Sequence, residues 1–271
     1  MNRNKITLLL MLIISLSSIG QTITKDSINS ILKKSPSFTI YQDNYFLTGV
    51  PSNEAVTKKT ADAKFQISFK ERLTNAELPF STYMFLTYTQ KSFWNIYEKS
   101  SPFSETNYNP AIGIGKFLVS KDLYLHVVAL TFEHESNGKD STSSRSWNRI
   151  SMHYMIPLSK KASLFVKGWI PFGYKTDNPD LIKYVGYGEI NYIQKSDNER
   201  FIFEITLKKG ASWDSKGSIN SQLAFRLTKN TNQYISIQYY HGYAESLINY
   251  QEKTQMIRIG LVLKPTKFVF Y

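Results

Sequence analysis

The chain is expected to fold as an all-β, twelve-stranded antiparallel transmembrane β-barrel. Three observations predict it: an excess of aromatic residues, repeated segments of about ten residues with alternating polarity, and an export signal with no membrane helix behind it. Aromatics make up 14% of the 271 residues, with 18 Tyr and 17 Phe. Such residues favour strands and the boundary between apolar and wet surroundings.

The first element is not a strand. MNRNKITLLLMLIISLSSIGQ sets Arg3 and Lys5 ahead of an apolar run from Ile6 to Leu16, then small residues Ser18 and Gly20 before Gln21. That order predicts a secretory signal peptide over residues 1–20, because the apolar run is short for a membrane anchor. Residues 21–37 are expected to form a poorly ordered lead-in to a single barrel domain spanning 21–271. The chain has no cysteine, so an exported protein must hold together without disulfides, which favours a large or closed structure. Beyond residue 20 no uninterrupted apolar stretch reaches the roughly 18 residues of a membrane helix. Membrane residence would have to come from strands.

Candidate strands follow near residues 38–49, 64–72, 80–90, 107–118, 122–136, 146–157, 161–172, 183–194, 200–208, 217–227, 233–243 and 255–264. Turn signals such as KSDNE (Lys195 to Glu199) and TKNTN (Thr228 to Asn232) separate them. In KFQISFK, Phe65, Ile67 and Phe69 share one face, and Gln66, Ser68 and Lys70 the other. In MIRIGLVLK, Ile257, Ile259, Leu261 and Leu263 point one way; Arg258, Gly260 and Val262 point the other. One face suits lipid and the other a polar interior. The even strand count fits a single-chain bacterial barrel, and the terminal KFVFY suits an interfacial girdle or an assembly signal. A β-sandwich is the competing fold on periodicity alone.

The formal net charge is +12, and it stays strongly positive once Arg3 and Lys5 leave with the signal. The basic residues are scattered, with no arginine-rich tract or stacking motif, so anionic lipid head groups rather than nucleic acid are the expected counterpart.

One stretch carries chemistry: FEHESNGKDSTSSRSWNRI, Phe132 to Ile150. On a strand, His134 and Ser136 share a face, roughly 7 Å apart, and a histidine beside a serine is one standard activated nucleophile. Folding residues 137–147 as a loop sets Val128 opposite Tyr154, Leu130 opposite Met152, Phe132 opposite Ile150 and His134 opposite Asn148. The same register sets Thr131 against Ser151 and Glu133 against Arg149 on the inner face, so one pairing satisfies both faces. Asn148 would then lie about 5 Å from His134 at the β carbons, close enough for its carboxamide to accept the imidazole proton. An amide suits an outer wall where a carboxylate would be costly. A triad of Ser136, His134 and Asn148 on the lipid side implies a substrate within the membrane. The remaining histidines, His126, His153 and His241, have no comparable neighbour, and no His/Cys spacing suggests zinc. Gln90 shares strand parity with Met84, Leu86 and Tyr88, so it faces lipid, where pairing with its mate across a two-fold axis would satisfy the amide.

HESNGKDSTSSRSWNR resembles the active-site motif of the outer-membrane phospholipase A family. Three further segments resemble the same family: YTQKSFWNIYEKSSPFSETNYNP (Tyr88 to Pro110), DNPDLIKYVGYGE (Asp177 to Glu189) and YHGYAESLINY (Tyr240 to Tyr250). The resemblance runs from about Phe38 to near the C-terminus. It implies a calcium-dependent phospholipase A1, with A2 and lysophospholipase activity, resident in the bacterial outer membrane and active as a homodimer. It also implies Ser136 as nucleophile, His134 as base, Asn148 as orienting amide and the Gly138 backbone N–H at the oxyanion. Calcium would be held by the Ser144 hydroxyl and the Lys139 carbonyl, with Ser100 supplied by the facing protomer. Lys139 stands where the family pattern has arginine, a change that a carbonyl ligand tolerates, and the segment from Gln90 to Ser100 is shorter than in the family. Two other classes remain in view: a noncatalytic pore or structural barrel, and a soluble exported lipid-binding barrel.

Overall fold

Alternating polarity along the strands decides which way each side chain faces, and the pairing then closes. The computed structural model describes residues 35–74, 78–120 and 125–265; the signal segment 1–20, most of the expected lead-in and the terminal aromatic run lie outside the described residues. Among the described residues thirteen strands form: β1 (Phe38–Ile40), β2 (Asn44–Pro51), β3 (Asp62–Arg72), β4 (Thr82–Trp94), β5 (Phe103–Val119), β6 (Leu125–Ser136), β7 (Ser146–Pro157), β8 (Ala162–Phe172), β9 (Gly188–Lys195), β10 (Phe201–Lys209), β11 (Gly217–Arg226), β12 (Gln233–Gly242) and β13 (Thr254–Leu263). Each neighbour pair is antiparallel, and β13 pairs with β2 while β3 pairs with β4, which closes the cylinder.

The barrel has twelve staves because β1 and β2 are two pieces of the first. Both pair with β3, β1 through Phe38↔Glu71 and β2 through Tyr45↔Gln66. The expected continuous strand 38–49 is interrupted at 41–43, where Tyr41 turns inward and is buried and the Asn44 Oδ1 accepts the Ser68 backbone N–H at 2.5 Å. Within the lead-in, the Ser37 carbonyl accepts the Arg72 N–H at 2.9 Å and the Ser35 carbonyl accepts an Arg72 guanidinium N–H at 3.2 Å.

The outer face is apolar and open. Leu130, Met152, Ile170, Ile237 and Ile259 are all about half exposed or more, whereas Ser68, Ser151 and Ser236 on the inner face are fully covered. An exposed belt of this kind, running round the whole wall, is a lipid-facing surface and far exceeds the patches that soluble monomers carry. Among the described residues no helix is long and apolar enough to cross a membrane. The crossing is made by strands.

The interior is lined by polar side chains, and two loops fold inward at one end. Arg258 pairs with Asp62 and Glu245, both at 2.7 Å, and Lys64 joins Glu245 at 2.8 Å. Glu245 belongs to the β12–β13 loop, so this cluster draws the loop into the lumen. The β8–β9 loop carries a short helix, α1 (Leu181–Val185), where strand was expected from 183. Leu181, Ile182 and Val185 have helical spacing, and they pack with Trp147, Trp169, Leu247 and Tyr250 as an apolar cap over the polar lumen. Gly186, at φ 65°, ends the helix before β9 starts at Gly188.

Candidate active site

The β6–β7 hairpin pairs Val128 with Tyr154, Leu130 with Met152, Phe132 with Ile150 and His134 with Asn148. This is the expected register, and both faces enforce it. Inside, Thr131 meets Ser151, and the Glu133 carboxylate lies 2.7 Å from the Arg149 guanidinium. Outside, the alternation carries His134, Ser136 and Asn148 to one wall.

His134 Nδ1 lies 2.9 Å from Asn148 Oδ1. A carboxamide oxygen only accepts, so Nδ1 is the donor in this contact, and in the neutral ring Nε2 is the acceptor. Ser136 lies two residues further along the same face, between Tyr108 on β5 and Ser146 on β7. The imidazole is therefore in the tautomer that a general base needs, with the serine next along its own strand.

The loop after Ser136 is tied by one side chain. Asn137, buried, accepts the Lys139 and Arg145 backbone N–H groups at 3.3 and 3.0 Å and donates to the Ser143 carbonyl at 2.8 Å. Gly138 takes φ 65°, and an added Cβ would stand 3.0 Å from the Tyr108 ring. A positive φ is cheap for glycine and strained for other residues, so the motif needs glycine here.

Two partners were not legible in the sequence motif. Asp177, on the β8–β9 loop, accepts from the hydroxyls of Ser144 at 3.2 Å and Ser146 at 2.9 Å. Asn178, fully buried, bonds the Ser146 backbone in both directions at 3.1 Å. Thirty residues separate these loops in the chain, and the only hint was that DNPD opens one of the resembling segments. Gly173, φ 64°, backs onto the site: a Cβ there would lie 2.8 Å from Asn148 Nδ2.

The other expected residues sit at the rim. Lys139 extends its side chain toward β5, 3.1 Å from the buried Glu105 carboxylate and 3.0 Å from the Ser104 carbonyl. Ser100 is exposed on the β4–β5 turn at φ 73°. Gln90 lies on the outer wall with partners of its own: the Tyr88 hydroxyl donates to its Oε1 at 3.0 Å, and its Nε2 donates to Ser92 Oγ at 3.3 Å. Its amide is thus already half satisfied, and two of its four hydrogen-bonding positions remain for another molecule. His153 lies inside against Glu133 and Thr131, whereas His126 and His241 stack on Tyr154 and Tyr239. Among the described residues no group of three or more His, Cys, Asp or Glu could hold a metal ion.

Comparison with known proteins bears on this arrangement. A sequence model of the family described as Phospholipase A1 matches residues 26–263. Phospholipase A1 of Escherichia coli K12 is 33% identical over 208 residues, covering 74% of this chain and 69% of that protein. A Neisseria meningitidis relative, named as a phospholipase A1 only provisionally, is 31% identical over 215 residues, and the match spans 76% of this chain but 55% of that protein. Among solved structures, the outer membrane phospholipase A of Escherichia coli superposes with a TM-score of 0.75 at 27% identity, over 84% of this chain and 99% of that one. The Salmonella typhi outer membrane phospholipase, a dimer with bound calcium, gives 0.76 at 27% identity, over 88% and 96%.

Proposed function

This chain belongs to the phospholipase A1 family and is an outer-membrane β-barrel, and from that premise we propose that it hydrolyses acyl esters of membrane phospholipids with a Ser136, His134, Asn148 triad. The observation that carries the proposal is the 2.9 Å contact between His134 and Asn148 on the lipid-facing wall, with Ser136 beside them. A phospholipid lying against that wall presents its ester to the site without leaving the bilayer.

Ser136 Oγ attacks the acyl carbonyl carbon while His134 Nε2 takes its proton. The carbonyl oxygen gains the negative charge, toward which the Gly138 backbone N–H is the donor. Asn148 holds the ring and stabilises the imidazolium without bringing a charge to the lipid face. Collapse expels the lysophospholipid oxygen, which takes the proton back from His134. Water, activated by the same imidazole, then releases the fatty acid and restores Ser136. Both primary and secondary acyl positions, and the lysophospholipid product, present this same ester group, which supports A2 and lysophospholipase activity at the site.

Calcium bound in the Salmonella relative is proposed for this chain too. The donors fit a hard cation: the Ser144 hydroxyl and the Lys139 carbonyl are oxygens, and the Asp177 carboxylate stands 3.2 Å from the first of them. When bound, the cation supplies positive charge to the developing oxyanion. Ser100, exposed on the neighbouring turn, is proposed as the contribution of a facing protomer, and Gln90 as part of the interface. In this reading, separated protomers lack a complete cation site and pairing assembles it. Residues 1–20 are proposed as the export signal.

The apolar cap closing one end of the lumen fits an enzyme working on its outer wall better than a pore. The test is hydrolysis of a mixed-chain phospholipid by refolded protein with calcium, comparing the native chain with Ser136→Ala and His134→Ala. Hydrolysis retained by folded Ser136→Ala would rule out the proposed nucleophile.

A further inference from the structure

The wall behind His134 contains a feature that neither the triad nor the cation accounts for. The β5–β6 ladder runs Tyr108↔Ser136 and resumes at Ala111↔Glu133, which brings Pro110 opposite His134. Proline has no N–H, so it cannot give the ladder bond that a strand neighbour normally donates. The His134 carbonyl instead accepts the side-chain N–H of Asn109, at 2.6 Å.

The Asn109 amide is itself held. Its Oδ1 accepts from the Arg149 guanidinium at 3.4 Å. An arginine only donates and a carbonyl only accepts, so these two neighbours orient the carboxamide one way. Arg149 is in turn immobilised: its guanidinium is 2.7 Å from both Glu133 and Glu135 and lies 4.2 Å from the Trp147 ring centre. A chain of contacts thus runs from the buried ion cluster through Asn109 to the backbone of the histidine.

The direction of that carbonyl also explains the short reach to Asn148. In an antiparallel strand the N–H and C=O of one residue point to the same neighbour. His134 directs its own toward β5, so on the β7 side it forms the closer, non-hydrogen-bonded type of pair with Asn148.

We propose that Asn109 is a positioning residue for His134, replacing the ladder bond that Pro110 cannot make and so setting the height at which the imidazole meets Ser136 and Asn148. The inference rests on His134 being the base. Asn109 touches no reacting atom, and its effect should fall on turnover rather than on substrate binding.

The experiment is a double-substitution cycle on refolded full-length protein, read as kcat and KM for phospholipid hydrolysis with calcium. Asn109→Ala should lower kcat about 5- to 10-fold with little change in KM. Pro110→Ala restores a backbone N–H opposite His134, so adding Asn109→Ala to that background should cost much less turnover than it costs the native chain, a pattern that a general structural defect would not give. Asn109→Asp, which keeps shape and the Arg149 contact but lacks the donor, covers the case in which the alanine variant fails to form a heat-modifiable barrel. It should lose turnover likewise. Unchanged kcat in a folded Asn109 variant, or a loss that Pro110→Ala does not repair, overturns the proposal. His134→Ala distinguishes the two levels: activity without the imidazole sinks the triad itself, whereas an inactive His134→Ala beside a fully active Asn109→Ala sinks only the positioning role.

Discussion

His134 and Asn148 face each other across the β6–β7 hairpin with Nδ1 and Oδ1 2.9 Å apart, and they do so on the lipid side of the wall. An amide can be kept there because it is neutral. The first expected outcome follows from its role as an orienting group: Asn148→Ala should lower kcat roughly 10- to 100-fold, with Ser136→Ala falling to background. Equal and total loss in both would mean that Asn148 does more than hold the ring.

Gly173 makes a separate prediction about the same amide. Its φ of 64° is strained for alanine, and a Cβ 2.8 Å from Asn148 Nδ2 would push that amide aside. Gly173→Ala should cost about 1 kcal/mol of stability from backbone strain and lower turnover by displacing the carboxamide. Native kcat in the folded variant would show that Asn148 tolerates the shift.

The lumen offers a test by acid. Burial alone would raise the Glu245 carboxyl, but Arg258 and Lys64 outweigh it and hold it down at about 2. A depressed carboxyl contributes stability that is full above its ordinary value of 4.5 and is lost as pH falls toward 2. Unfolding in urea should therefore show a steeper loss of stability from pH 5 to pH 2 in the native chain than in Glu245→Gln. The variant should also be less stable by roughly 3 kcal/mol at neutral pH, because Lys64 and Arg258 lose their shared partner. Parallel pH profiles would place the acid sensitivity elsewhere.

Removing calcium separates catalysis from folding. The proposed ligands are rim oxygens outside the strands, so a chelator should stop hydrolysis while the unfolding midpoint stays where it was. Undiminished hydrolysis in excess chelator refutes the metal role.

Gln90 speaks to assembly. Tyr88 and Ser92 leave part of its amide free for a mate, so Gln90→Ala should weaken self-association in detergent, measured by sedimentation equilibrium, with the barrel intact. An unaltered dimer constant would remove Gln90 from the interface.

Strand direction, the two faces and the β6–β7 register were legible in the sequence because alternation has period two and both faces of this hairpin are constrained. Shifting β7 by one residue against β6 would turn Arg149 into lipid and leave Glu133 inside without its partner, so only one pairing survives. Strand ends were less legible: LIKYV reads as apolar strand material until Trp147 and Trp169 are seen to receive its helical face.

The sequence by itself thus determined the barrel, its lipid-facing wall and the meeting of an imidazole with a carboxamide, since each depends on local periodicity and on pairing between adjacent segments. The tertiary structure alone decided that Asp177 reaches Ser144 and Ser146, that Gly173 backs Asn148, that Asn109 serves the His134 carbonyl and that Glu245 draws a loop into the lumen. These contacts join loops and staves far apart in the chain, where the partner is chosen by barrel closure and by the need to satisfy buried polar groups rather than by any neighbouring residue.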